Sequence, residues 1–220
     1  MDLINIFVTS FKKPLEQDLF SGYLSYLSPD LKQRNSRYIR WQDKHSHLFG
    51  KLLLMEALRI YGIETDIWNY LAYNDYQRPY LTLDGYDFNI SHSGNFVICA
   101  FGKNIRLGID IEENRRINIE DFGNIMSPGQ WHEINESDYP LKEFYKYWTI
   151  KESVMKADGR GFSIPPDKLE MNNNTVQYED KLWFVHQLTV DSDYSAALAT
   201  NRLSAFKIRY IDFYKSRTLT

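Results

Sequence analysis

The chain carries a single cysteine, Cys99, among 220 residues. A lone cysteine forms no internal disulfide, so stability must come from the core, and a reducing compartment suits it. Cys99 stands in an apolar run and reads as a small buried hydrophobe. Long apolar runs are also missing. The densest, "LFGKLLLMEAL", is broken by Lys51 and Glu56 and is too short and too polar for a membrane span. The N-terminal stretch has no long apolar segment of the signal-peptide kind. Excess basic charge is absent too: the formal net charge is -3. There is thus no global signature of nucleic-acid binding, although local basic clusters can still hold phosphate. A cytoplasmic protein with no membrane or nucleic-acid partner is expected.

The apolar fraction of 43% and the aromatic fraction of 15% suit a folded chain with an ordinary core. "LINIFV" (residues 3–8) reads as a strand, and residues 14–27 as a helix. Ser28, Pro29 and Asp30 form a helix start, and that helix is expected to run on toward Arg59. Residues 68–87 are polar and aromatic, with turn signals. "DFNIS", "FVICAFG" and "IRLGIDIE" read as short strands, the first two joined by a hairpin at "HSGN". A helical stretch over 119–134, interrupted near "SPGQ", precedes a helix over 141–157. "TVQY", "LWFVHQLTV", "YSAALAT" and "FKIRYIDFY" then read as strands, with a turn at "NNNT". No charged or Gly/Ser-rich linker intervenes. The order implies an α+β fold of two closely packed halves, 1–104 and 105–220, dividing near Lys103 to Arg106.

Three short stretches carry chemistry. In "LGIDIEE", strand alternation puts Ile109 and Ile111 on one face, and Asp110 and Glu112 on the other with Gly108. Two carboxylates so placed can share a hard cation such as Mg²⁺; a solvated acidic strand face explains them as well. Gly108 leaves room for a ligand or another chain. In "YWTIKESVMK", Trp148, Glu152 and Lys156 fall within ~80° on one helix face, with Lys151 ~60° to the other side of Trp148. Glu152 can complete a triad with Asp110 and Glu112 while the lysines neutralise phosphate; a plain i,i+4 ion pair is the competing explanation. In "ISHSGN", Ser91, His92 and Ser93 can donate to phosphate oxygens or simply cap a turn. A Ser–His hydrolase pair does not fit, because no G-x-S-x-G elbow surrounds either serine and adjacent strand residues point apart.

Taken together, "ISHS", "LGIDIE" and "WTIKESVMK" resemble the 4′-phosphopantetheinyl transferases, whose mark is G-[IV]-D followed some forty residues later by W-[ST]-x-K-E-[AS]-x-x-K. Here Asp110 and Glu152 stand 42 positions apart. The length, the "ISHS" half, and "SPDLKQR", "QRPYL" and "GRGFSIP" are similar to the larger, monomeric Sfp-type members, over residues 28–165. The resemblance implies a pseudodimer of two α+β halves with the active site at their interface. It implies transfer of 4′-phosphopantetheine from coenzyme A to a serine of an apo acyl or peptidyl carrier protein, activating fatty-acid, polyketide or nonribosomal peptide synthases, with secondary metabolism a common setting. It makes Asp110, Glu112 and Glu152 the Mg²⁺ ligands, Mn²⁺ being an alternative ion. It places Lys156 and His92 on the pyrophosphate, helped by Ser91 and Lys151, and Arg78 and Pro79 beside the adenine and phosphates. Lys32 and Arg34 are placed at the 3′-phosphate. Catalysis falls to Glu152, Lys156 and His92, with Glu152 the candidate base, and Trp148 is expected at the pocket wall. Two departures stand out: Leu31 and Ser46 occupy positions where relatives often carry basic residues, leaving the 3′-phosphate to Lys32, Arg34, His45 or His47. Arg115 and Arg116 are expected to meet acids of the carrier, and Ile117, Phe122, Ile125 and Met126 to supply apolar contact.

Three outcomes compete. A Mg²⁺-dependent nuclease or phosphohydrolase would want its lysine two residues beyond a strand acid, where Asn114 stands. A non-catalytic coenzyme A or carrier-binding module would be expected to lose the acids, and all three are present.

Overall fold

The computed structural model describes residues 3–63 and 66–215. Strand β1 (Ile4–Ser10) leads to three helices, α1 (Gln17–Ser25), α2 (Pro29–Ser36) and α3 (Trp41–Ile60). A small hairpin of β2 (Leu71–Tyr73) and β3 (Pro79–Leu81) precedes β4 (Tyr86–Ser93) and β5 (Phe96–Lys103). Then follow β6 (Leu107–Glu113), α4 (Pro128–Glu136) and α5 (Pro140–Asp158). Strands β7 (Glu170–Asn172), β8 (Thr175–Tyr178), β9 (Lys181–Leu188), β10 (Tyr194–Thr200) and β11 (Phe206–Tyr210) complete the chain.

The two halves repeat one plan. In the first, β1 pairs antiparallel with β5, and β5 with β4. In the second, β6 pairs antiparallel with β10, and β10 with β9. Each half therefore runs strand, helices, then a pair of antiparallel strands that returns to the opening strand. The long helices α3 and α5 each pack on the sheet of their own half. This is the α+β pseudodimer that the element order implies.

Physical causes fix the main departures from the sequence reading. The single helix expected from Ser28 to Arg59 is two. Arg40 is extended, at φ -76° and ψ 138°. Buried Asn35 donates to the Lys44 carbonyl at 2.8 Å and so pins the end of α2 onto α3. The stretch 119–134 is a short 3₁₀ turn, Ile119–Phe122, followed by α4, because Ser127 and Gln130 form a capping box that starts a new helix. The boundary at 105–220 is crossed once. β11 returns to the first sheet, parallel to β1, and beyond it Phe213 stacks on Phe49 in the first core, ring centroids 5.3 Å apart. The edge of β1 supplies backbone partners for β11, and Phe213 packs edge-on against Tyr23, so the segment finds both ladder and ring contacts in the first half. Cys99 is fully buried, as read. No helix among the described residues is long and apolar enough to cross a membrane.

Candidate active site

β4 and β6 run side by side, and the link between them is made by side chains. Asp87, Asn89, Ser91 and Ser93 alternate along β4 and so project toward one side. Asp87 accepts from the Leu107 amide at 3.0 Å, Asn89 from Ile109 at 2.9 Å, and Ser93 from Glu113 at 3.1 Å. These groups satisfy an edge of β6 that backbone pairing leaves open, and they join the halves. The same row serves the acids. The Ser91 hydroxyl donates to Asp110 Oδ1 and the Ser93 hydroxyl to Glu112 Oε2, each at 2.8 Å.

α5 closes the cluster from the other side. A Cβ on Gly108 would collide with the Ser153 carbonyl and the Ala157 amide. Glycine there lets the α5 backbone lie against β6, so the close partner is this helix rather than a ligand. Lys156 reaches across to Asp110 Oδ1 at 2.5 Å and to the Ser91 hydroxyl at 3.1 Å. Burial opposes its charge, but Asp110 and Glu152 outweigh that and raise its pKa. Burial also pushes Glu152 up to about 7; Lys156 resists this, while Asp110 and Glu112 add to it. Glu112 is raised by burial and by Asp110, against the Ser93 hydrogen bond. The i,i+4 pair considered between Glu152 and Lys156 is thus part of a larger arrangement, with Lys156 bonded to Asp110.

The end of α5 is held by side chains from outside the helix, two of them, Arg78 and Asn74, from the other half. The four carbonyls at a helix C-terminus have no partner within the helix. Here Arg78 Nε donates to the Lys156 carbonyl at 2.8 Å, and Arg106 Nε to Ala157 at 2.6 Å. Arg106 Nη2 donates to the Asp158 carbonyl at 3.3 Å, and Asn74 Nδ2 to Gly159 at 3.0 Å. Gly159, at φ +94°, supplies the left-handed cap. Two guanidiniums also complement the negative end of the helix dipole. Arg78 is itself buried, its Nη2 2.9 Å from Asp87 Oδ2 and 3.0 Å from the Leu107 carbonyl. One side chain therefore ties β4, β6 and α5 together at the residue that carries the Lys156 ammonium.

Beside this cluster lies a cavity of about 280 Å³, lined by Arg34, Asp43, His47, Lys51, Pro79 and His92 among others. His92 opens to the surface there, and burial, then Lys156, lowers its pKa. Neighbouring Ser91 points the other way, toward Asp110, as strand alternation requires.

The structure sorts the sequence-derived candidates. Ser91, Asp110, Glu112, Glu152 and Lys156 converge, and His92, Pro79 and Arg34 line the adjoining cavity. Three do not join them. Lys151 is wholly buried, its Nζ 2.6 Å from the Pro166 carbonyl. It packs against the turn after α5, being neither solvated nor part of the acid cluster. Arg78 faces inward to Asp87 instead of into the cavity, since the flanking strand residue Pro79 takes the outward side. Lys32 does not line the cavity. His45 is also occupied: its Nε2 accepts from the Leu15 amide at 3.0 Å, so Nδ1–H donates to the Trp41 carbonyl at 2.7 Å. Leu31 and Ser46 are buried. Sequence reading missed Asp87, Asn89, Arg106, Asn74 and Lys51. The polar alternation of "DFNISHS" was the available signal for the first two; nothing local marks the others.

Whether the acids fit a cation is answered by their own state. Asp110 Oδ2 is buried with no partner, and three carboxylates crowd one another with Lys156 as the cation on Asp110 Oδ1. Among the described residues no three His, Cys, Asp or Glu side chains are drawn together closely enough to hold a metal as arranged. The oxygen donors suit a hard ion such as Mg²⁺, and Asp110 Oδ2 is free to take one.

Similarity to known proteins covers both halves. The pattern of the 4′-phosphopantetheinyl transferase superfamily matches residues 106–199. That of the 4′-phosphopantetheinyl transferase N-terminal domain matches 13–104. The 4′-phosphopantetheinyl transferase Sfp of Bacillus subtilis (strain 168) is 31% identical over 163 residues, 72% of each chain. The chain belongs to the 4′-phosphopantetheinyl transferase superfamily, as an Sfp-like member. The transferase gsp of Aneurinibacillus migulanus is 30% identical over 179 residues, 80% of this chain and 74% of its own. A solved holo-[acyl-carrier-protein] synthase from Thermotoga maritima aligns with a TM-score of 0.36 and 17% identity, over 44% of this chain and 62% of its own. In this transferase the matched halves meet along β4 and β6, where the acids stand.

Proposed function

We propose that this phosphopantetheinyl transferase moves the 4′-phosphopantetheine group from coenzyme A to a serine hydroxyl of an apo acyl or peptidyl carrier protein. The observation that carries the reading is the convergence of Ser91, Asp110, Glu112, Glu152 and Lys156 beside a basic cavity. The serine oxygen forms a bond to the phosphorus bearing the pantetheine arm. The bond from that phosphorus to the bridging oxygen breaks, and adenosine 3′,5′-bisphosphate leaves with the electron pair. Asp110, Glu112 and Glu152 would hold Mg²⁺, or Mn²⁺ in its place. When bound, the ion draws charge from both phosphates. Lys156, freed from Asp110, neutralises phosphate oxygens, and neutral His92 donates its N–H to them. Glu152 is the carboxylate that would accept the serine proton.

Both sides of the site come from one chain, which supports a monomer. The lone buried thiol of Cys99 supports a reducing, cytoplasmic setting. Arg115 and Arg116, beside the exposed Ile117, supply a basic and apolar surface for an acidic carrier, with Phe122 near Trp148. Which synthase is activated, including any of secondary metabolism, would be read from the carriers that react.

The test is mass spectrometry of apo carrier proteins of several kinds, incubated with coenzyme A and Mg²⁺. A gain of one phosphopantetheine mass is expected, and its loss in Asp110→Ala with an unchanged circular dichroism spectrum. No gain with any carrier would overturn the reading.

A further inference from the structure

The turn between β4 and β5 belongs to the first half, yet the second half holds it. Tyr194 of β10 and Glu113 of β6 stand directly opposite each other in their ladder. Residues so paired send their side chains to the same face of the sheet. Strand alternation puts that face opposite to the one carrying Glu112. Tyr194 packs there with the core cluster shared by β1, β5, β6 and β10, its ring edge-on to Phe96 with centroids 4.7 Å apart. Its phenol oxygen accepts from the Asn95 amide in the turn at 3.0 Å. The neighbouring Gly94, at φ +52°, lies so close that a Cβ would collide with the Tyr194 hydroxyl and with Glu113 Oε2.

The turn has a reason to be held. Ser93 is the last residue before it. The Ser93 hydroxyl accepts from the Glu113 amide at 3.1 Å and donates to Glu112 Oε2 at 2.8 Å. A hydroxyl has one proton to give, so the amide fixes its direction toward Glu112. That arrangement lasts only while the end of β4 stays against the end of β6. The two strands belong to different sheets, so at this end the contact depends on Ser93 and on the bond from Asn95 to Tyr194. Tyr194 is itself a firm post. Beside it the Asn114 amide donates to the Asp193 carbonyl at 2.8 Å, and the Ser195 hydroxyl to Asn114 Oδ1 at 2.9 Å.

We propose that Tyr194 is a positioning residue for the transfer reaction: by holding the Asn95 amide it keeps Ser93 on Glu112 and so sets the direction of a carboxylate that takes the divalent ion. The second half thereby positions its own carboxylate through a turn of the first. Groups hydrogen-bonded behind a ligating carboxylate orient it and tune its affinity, and Tyr194 acts one step farther back. The assignment rests on the coenzyme A and Mg²⁺ reading above.

Tyr194→Phe deletes the hydroxyl and keeps the ring on Phe96, and its thermal midpoint reports that it is folded. Amide hydrogen exchange of the full chain, followed by NMR with no ligand present, reads the contact first. In Tyr194→Phe the amides of both Asn95 and Glu113 should exchange ~2–10-fold faster, the equivalent of one hydrogen bond at ~0.5–1.5 kcal/mol. With coenzyme A present, Mn²⁺ affinity should fall by a similar factor, and so should kcat of transfer. Ser93→Ala should cost ~10-fold or more in Mn²⁺ affinity. Adding Tyr194→Phe to it should cost nothing further, because both act through one contact. Losses that add in the double variant would overturn the role, as would faster exchange at Asn95 alone. A folded Tyr194→Phe protein with wild-type Mn²⁺ affinity and kcat would overturn it too. A wild type that takes up no Mn²⁺ with coenzyme A would overturn the divalent-ion site and this role with it, and the ligand-free exchange would show whether Tyr194 still holds the turn.

Discussion

α3 and α5 hold matching places in the two halves, and each brings a polar i,i+4 row to the end of β4. On α3 the row is Asp43, His47 and Lys51, with Lys51 unpaired beside a cavity. On α5 it is Trp148, Glu152 and Lys156, with Lys156 bonded to Asp110 and Ser91. The ends of the helices differ as well. α3 closes with its own backbone turn at Tyr61 and a local Arg59–Glu56 pair. α5 is fastened by Arg78 and Asn74 from the other half and by Arg106 at the start of its own. The same helix-on-sheet unit is thus used in two ways. On α3, donors beside a cavity are left unsatisfied; on α5, the end of the helix is fixed in part from across the interface.

The largest blow to this contrast should come from Arg78→Met. Breaking a buried pair by removing one partner costs ~3–5 kcal/mol, and Asp87 would be left buried. Urea unfolding should show a loss of that size, and adding Asp87→Asn should recover part of it. A loss below ~1 kcal/mol would mean that α5 is held in another way. Gly108→Ala comes next. The methyl has no space against the α5 backbone, and overpacking of this kind costs ~1–3 kcal/mol. Transfer should fall more steeply than stability, because Glu152 and Lys156 move with the helix, whereas bisphosphate affinity at the α3 cavity should hold.

A smaller effect follows from the crowding of acids. Glu152 is raised from 4.5 to about 7 in the folded chain. The folded state therefore binds this proton more tightly than the unfolded state does. Its stabilising contribution is full below the unfolded value and is lost as pH rises through about 7. Without divalent ion, stability of the wild type should fall over that window relative to Glu152→Gln, and Mg²⁺ should remove the difference. Identical pH profiles would count against the crowded cluster. The smallest change is expected from Arg115→Ala. Its ion pair with Glu113 is exposed, and such pairs are worth ~0.2–1 kcal/mol. The thermal midpoint should barely move, while KM for an acidic carrier rises.

The acids, Glu152 and Lys156 were legible because strand and helix periods place them on shared faces and the family spacing binds them together. The two-half architecture was legible from element order. What stayed hidden depends on contacts across the interface. "QRPY" does not say that Arg78 turns inward, because that choice is made by buried Asp87 and by the open carbonyls of α5. Lys151 sits in the same motif as Glu152, yet the Pro166 carbonyl claims it through a turn formed later in the chain. Lys51 interrupts an apolar helix and looked only like a break in a hydrophobic run. That it is buried with no ion-pair partner among the described residues is visible only in the fold. The one-helix reading of residues 28–59 failed for a similar reason, since Asn35 closes α2 by bonding nine residues ahead.

The proposal with most at stake is that Asp110 and Glu112 of β6 and Glu152 of α5, which form no metal-holding cluster as arranged, take up a divalent ion together with coenzyme A. Electron paramagnetic resonance of Mn²⁺ titrated into the protein in the presence of coenzyme A tests it most directly. The wild type should immobilise Mn²⁺ at one site, displaceable by Mg²⁺, and both Asp110→Asn and Glu112→Gln should abolish it without unfolding the chain. Mn²⁺ that stays free in the wild type, or binds undiminished in both variants, would contradict the account.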